Sequence, residues 1–72
     1  MVINDLESLG VYIRKCRKNQ GITQRQLAAI AGVSPRFVGE VERGKVTMEI
    51  GRALRVVFAL GLTVEIKGGE EK

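Results

Sequence analysis

Histidine is absent from the 72 residues, and cysteine occurs once, at Cys16. A disulfide needs two thiols and a structural zinc needs a cluster of soft ligands, so neither can brace so short a chain. The same scarcity removes the usual nucleophile–base pairs, and there is no glycine-rich phosphate loop and no paired-carboxylate pocket. The sequence does not read as an enzyme and calls for no metal or cofactor. Aromatic residues are few and scattered, Tyr12, Phe37 and Phe58, which leaves no stacking platform for single-stranded RNA. No stretch approaches the roughly 18 apolar residues of a membrane span. The opening Met1-Val2-Ile3-Asn4-Asp5 lacks a basic region followed by an apolar run, so no signal peptide is expected. With a free thiol as well, the expected location is the cytoplasm, away from membranes.

What is present is a single domain, over 1–67, with a frayed, disordered tail at 68–72. Such a length buries only a modest core, so helix packing and oligomerisation must supply the rest of the stability. The net charge is +4, and its distribution is uneven. From Arg14 to Arg55 there are ten Lys/Arg against the three acids Glu40, Glu42 and Glu49, a local balance of +7. The flanks carry Asp5, Glu7, Glu65, Glu70 and Glu71 against Lys67 and Lys72, a balance of −3. A basic middle between acidic ends fits a phosphate-facing surface with a separate face turned elsewhere. Many small soluble domains are also basic, so charge by itself leaves the partner open.

Gly21, Gly32, Gly44 and Gly61 each follow a segment of helical periodicity, as left-handed C-terminal caps do. Start signals precede each segment. Asn4 with Glu7 and Thr23 with Gln26 fit capping boxes. Ser34 before Pro35 gives a cap and a first-turn proline, and Thr47 before Glu49 gives a cap and a first-turn acid. Four helices are predicted, near 5–19, 24–31, 35–43 and 48–60. Leu6, Leu9, Ile13 and Cys16 form the inner stripe of the first, with Cys16 a small core residue. Leu27, Ile30 and Ala31 line the second; Val38 and Val41 line the third, with Val33 in the turn before it. Ile50, Ala53, Leu54, Val57, Phe58 and Leu60 span a wide arc of the fourth, as a helix packed on two sides would show. Past Gly61, Leu62-Thr63-Val64-Glu65-Ile66-Lys67 alternates apolar and polar, the pattern of a half-buried strand. The fold class is therefore mostly α, four helices with a C-terminal β-strand.

The stretch "TQRQLAAIAGVSPRFVGEVERG" carries the functional reading. Two short helices meet about one tight turn: Ala28 permits a close crossing, Gly32 turns the chain, and Val33 and Val38 fill the angle. This geometry projects the second helix outward, its first residues free to enter a major groove.

At these residues the chain resembles the Cro/CI-type helix-turn-helix family, the phage-repressor-like (XRE) regulators. The likeness runs over about 9–60, and "GITQRQLA…AGVS…VERGK" is its specific part. The ending "ALGLTVEI" resembles a narrower group, the antitoxins of kinase-type (Hip) toxin–antitoxin systems, in which a terminal strand pairs across a dimer. The first resemblance implies a sequence-specific repressor of transcription; the second implies an antitoxin that autoregulates its operon and binds a toxin kinase. The first resemblance also implies that Gln24 bonds a backbone phosphate from a helix N-terminus. It places Pro35, Arg36 and Glu40 toward the groove, with Ser34 as their cap, and Arg43 and Lys45 on phosphates. Pro35 departs from the polar residues common there and can offer only apolar contact, as to a thymine methyl. In the family the positions of Arg17 and Glu42 form a structural salt bridge, which removes Glu42 from the base readers.

Alternatives stay open at several of these positions. Arg36 either contacts DNA or is a solvated charge. Glu40 either accepts from cytosine N4 or orients Arg36 or Arg43. Phe37 reads as core-edge packing ahead of stacking on DNA, and Gly39 as a place of close approach by DNA or by a neighbour. The expected partners are a near-palindromic double-stranded DNA operator and a second copy of the chain, paired through Leu62, Val64 and Ile66. The competing class is a protein-interaction or inhibitor module with no DNA role.

Overall fold

The structure, a computed structural model, describes residues 2–45, 47–66 and 68. Within them lie four helices: α1 (Leu6–Asn19), α2 (Gln24–Ala31), α3 (Pro35–Glu42) and α4 (Ile50–Ala59). α3 packs on both α1 and α2, and α2 also packs on α4, so α2 and α3 form the middle of the bundle.

The helix ends follow from local chemistry. α1 starts one residue later than the Asn4–Glu7 box predicts: Asp5 is the cap, its Oδ1 accepting from the Ser8 amide at 2.8 Å. A carboxylate meets the positive helix end better than an amide does, and Ser8 completes the box. Its bonds to Ser8 hold the Asp5 carboxyl below its ordinary pKa. Thr23 and Gln26 form the reciprocal box expected of them. Ser34 accepts from the Phe37 amide, with Pro35 in the first turn. At α4 the predicted Thr47 cap gives way to Glu49, whose carboxylate takes both the Gly51 and Arg52 amides. A turn closed by the Met48 amide on the Lys45 carbonyl delays the helix by those two residues. All four expected glycines have positive φ. At Gly44 this is needed twice over: φ is +71°, and a Cβ would lie 2.7 Å from the Glu7 Cα.

The core is Ile13, Leu27, Ala28, Ala31, Phe37, Val38, Val41, Ala53, Val56, Val57 and Leu60, with Leu9, Cys16, Ile22, Val33 and Leu62 packed against it. Two readings of the inner faces need correction. Ile30 is exposed, because Ala31 and Leu27 already fill the contact of α2 with its neighbours. On α4 the buried stripe is Ala53, Val56, Val57 and Leu60, a single face at helical spacing that includes the overlooked Val56. Ile50 and Phe58 stand off that face and are exposed, with Leu54 half-buried between them. One side of α4 is thus packed and the other is bare. No strand occurs among the described residues, and 62–66, where the sequence predicts a strand, has no regular secondary structure. Lys67 and 69–72 lie outside the described residues. Among the described residues no helix is long and apolar enough to cross a membrane.

Candidate nucleic-acid interface

The candidate site is built on the α2–turn–α3 unit. α2 ends at Gly32, whose φ of +74° lets the chain reverse while the Gly32 and Val33 amides both return to the Ala28 carbonyl. Ala28 is buried at the crossing, as the absence of a larger side chain requires. Phe37, Val38, Val41 and Glu42 turn into the protein. Pro35, Arg36, Gly39, Glu40 and Arg43 therefore occupy the opposite arc of α3, with Ser34 exposed ahead of them.

Behind this surface lies an ion pair. Arg17 Nε donates to Glu42 Oε2 at 2.6 Å and Arg17 Nη2 to Glu42 Oε1 at 3.1 Å, the fork geometry that makes Arg–carboxylate pairs strong. Both side chains are nearly dry, 9% and 3% exposed. The remaining Nη1 donates to the Ile22 carbonyl at 2.9 Å, tying down the turn that starts α2. Burial pushes the Glu42 carboxyl up, but bonds from Arg17 and Gln24 and the charges of Arg17 and Arg14 outweigh it, and its pKa falls below normal. The hydrogen bond to Glu42 likewise raises Arg17, against its own desolvation.

Gln24, at the first position of α2, is drawn into this pair. Its Nε2 donates to Glu42 Oε1 at 3.0 Å, which leaves its backbone amide, its carboxamide oxygen and the second N–H of its NH2 as the groups with free capacity. Glu40 sits 17% exposed between two cations, with Arg36 Nε at 3.5 Å and Lys45 Nζ at 3.3 Å from the same oxygen. Its charge is offset within the protein, and Arg36, 87% exposed, remains free to swing outward. Arg36, Glu40 and Lys45 thus form one cluster, and Gln24, Glu42 and Arg17 another. Leu62, Val64 and Ile66 belong to neither; Leu62 packs on the core while Val64 and Ile66 are exposed.

Sequence reading missed three features. Gly10 in mid-α1 is buried, and a Cβ there would meet the Val41 and Glu42 carbonyl oxygens at 2.5 Å, so α1 crosses α3 backbone to backbone. A lone glycine inside a helical pattern is the signal that pointed to it. Gln20 Nε2 donates to the Leu60 carbonyl at 2.8 Å, satisfying an end of α4 from the end of α1. The Gln24–Glu42 bond had no signal, because it depends on how two helices are juxtaposed.

Two short helices about a left-handed glycine, the second presenting a polar outer arc, define a helix-turn-helix protein. The helix-turn-helix family model matches residues 13–66, and the chain belongs to that family. It is similar to an uncharacterised HTH-type transcriptional regulator, y4mF, of Sinorhizobium fredii (strain NBRC 101917 / NGR234). That relative is 39% identical over 64 residues, covering 89% of this chain and 84% of the relative. Among solved structures it is similar to the restriction-modification controller protein C.AhdI from Aeromonas hydrophila. The TM-score is 0.71 at 32% identity, over 82% of this chain and 86% of that one. It is also similar to the clp gene regulator ClgR from C. glutamicum, with a TM-score of 0.68 at 37% identity, over 79% and 74%.

Proposed function

We propose that this protein is a transcriptional regulator that binds double-stranded DNA sequence-specifically as a homodimer and represses from a near-palindromic operator. The observation that carries the proposal is the outer arc of α3, where Arg36 stands exposed and the following Arg43 adds a second arginine, on a helix whose inner face is locked into the core. The regulators among its relatives support the same reading. In this reading α3 lies in the major groove, Arg36 leaves Glu40 for a base edge, and Pro35 offers its ring to a thymine methyl. The N-terminus of α2 at Gln24 faces a phosphate, Ser34 holds the start of α3, and Arg43 and Lys45 add positive charge to the same surface. Glu40 stays back as the group that orients Arg36.

Fluorescence anisotropy on a selected duplex and on random duplex, from about 50 to 200 mM salt, tests this. A DNA-binding regulator loses affinity steeply with salt on both and keeps a preference for the selected site. A flat response on both duplexes overturns the proposal in favour of a protein-interaction module.

The antitoxin role is a finer proposal and rests on the "ALGLTVEI" resemblance together with the exposed Val64 and Ile66. Those residues would be shared between the dimer and a toxin kinase partner. Co-purification of a kinase with the tagged protein from its native cell supports this role. Recovery of DNA and a second copy alone removes it.

A further inference from the structure

Gly39 is buried although it lies on the outer arc of α3. What covers it comes from its own chain: a Cβ built there would meet Arg43 Nη1 at 3.2 Å, Gln24 Oε1 at 3.8 Å and Arg43 Cζ at 3.9 Å. Helical side chains lean toward the N-terminus, over the turn that precedes them. Arg43, one turn past Gly39, therefore lays its guanidinium back onto the middle of α3 instead of reaching out from the loop at its end. The missing side chain at Gly39 is the seat that admits it. Gln24 closes one side of the seat, held there by its bond to Glu42.

The guanidinium is also uncommitted. Of the cations on the outer side of α3 and its following residues, Arg36 and Lys45 share Glu40. Arg43 has no carboxylate partner among the described residues. An arginine whose planar fork lies at mid-helix, with donors unspent, is placed to meet a guanine O6/N7 edge in the groove. A phosphate contact would be made from the rim of the groove, at the helix end.

We propose that Arg43, seated on Gly39 and flanked by Gln24, is a base-reading residue for a guanine, and that Gly39 determines specificity by holding that seat open. This rests on the DNA-binding reading above. The test measures preference at every operator position, by selection from a randomised duplex library. It compares the parent with Arg43→Ala, Gly39→Ala and Lys45→Ala, each with a salt series. Arg43→Ala should lose a guanine preference at one position per half-site, by about ten-fold or more. Gly39→Ala should weaken the same preference, because its Cβ displaces the guanidinium, while melting no lower than the parent, since alanine favours a helix over glycine. Lys45→Ala should weaken all sequences alike. If Arg43→Ala also weakens all sequences alike, Arg43 is a phosphate contact and the proposal fails. An unchanged preference in Gly39→Ala removes the seat. A parent that binds no DNA overturns the functional reading, and this assignment with it.

Discussion

Glu42 joins three parts of the molecule through one carboxylate. Its two oxygens take Arg17 from α1 and Gln24 from α2, and its backbone belongs to α3 beneath the outer arc. A charge so enclosed is tolerated only while paired; removing one partner typically costs about 3–5 kcal/mol. Glu42→Ala should therefore lose a large share of the stability of so small a domain, read as a fall in the urea midpoint at neutral pH. A melt within a degree or two of the parent would show that the pair contributes little. The pH dependence has a definite sign. Because the folded protein holds the Glu42 pKa below its ordinary 4.5, the unfolded chain takes up the proton first on acidification. The contribution is thus fully present above about pH 4.5 and is lost as pH falls through the lowered folded value. Glu42→Gln, which cannot ionise, should start less stable at pH 7 and show a shallower loss below that point. Equal slopes in parent and variant would assign the acid sensitivity elsewhere, Asp5 being the other lowered carboxyl among the described residues.

At the scale of elements, the crossing of α1 over α3 depends on Gly10. The usual expectation for glycine inside a helix is that alanine stabilises, by about 0.5–1 kcal/mol. Here the added methyl would meet two backbone carbonyl oxygens at 2.5 Å, and backbone does not yield as a flexible side chain does. Gly10→Ala should instead destabilise, by about 1–3 kcal/mol from overpacking, whereas Gly21→Ala, with open space but a φ of +72°, pays only for its backbone conformation. A thermal melt of Gly10→Ala at or above that of the parent would show that the helices can slide apart. The same crossing marks the limit of what could be read from sequence. The four helices, their glycine stops and the Thr23 and Ser34 caps are local and were legible. The one-residue choice between Asn4 and Asp5 was not, because both frames offer a box and only the charge at the helix end decides. On α4, Ile50, Leu54 and Phe58 are as apolar as the buried stripe, and composition alone cannot tell which face meets α2. Of the candidate site, the residues on the outer arc were reached through the family resemblance of the "GITQRQLA…AGVS…VERGK" stretch, not from spacing alone. The hold of Glu42 on Gln24 and the seat of Arg43 on Gly39 were not, since each needs the angle between α2 and α3.

At the scale of the whole molecule, the bare side of α4 and the exposed apolar residues of 62–66 raise one question, which the proposed dimer would answer. Ile50 and Phe58 are 64% and 54% exposed, and beyond the helix Val64 and Ile66 are 50% and 91% exposed. Among the described residues 62–66 has no regular secondary structure, and an isolated strand gains little by ordering. In the proposed dimer, a second copy related by a two-fold axis would bring its 62–66 segment antiparallel to this one and its apolar residues to the bare side of α4. The same axis would set two α3 helices on one side of the dimer. If they enter successive major grooves, about 34 Å apart, the preferred site must be a near-palindrome of matching spacing. Val64→Pro tests the strand, because proline removes a ladder donor, and Phe58→Glu tests the helix face, because a charge there opposes burial. Neither position lies in the core, so both variants should keep their helical circular dichroism. The parent should sediment as a dimer at tens of micromolar and both variants as monomers. On a full palindrome the variants should lose affinity sharply, and on a half-site they should bind as the parent does. A parent that sediments as a monomer would leave the exposed apolar residues to some other partner. Variants that still dimerise would move the interface away from α4 and 62–66.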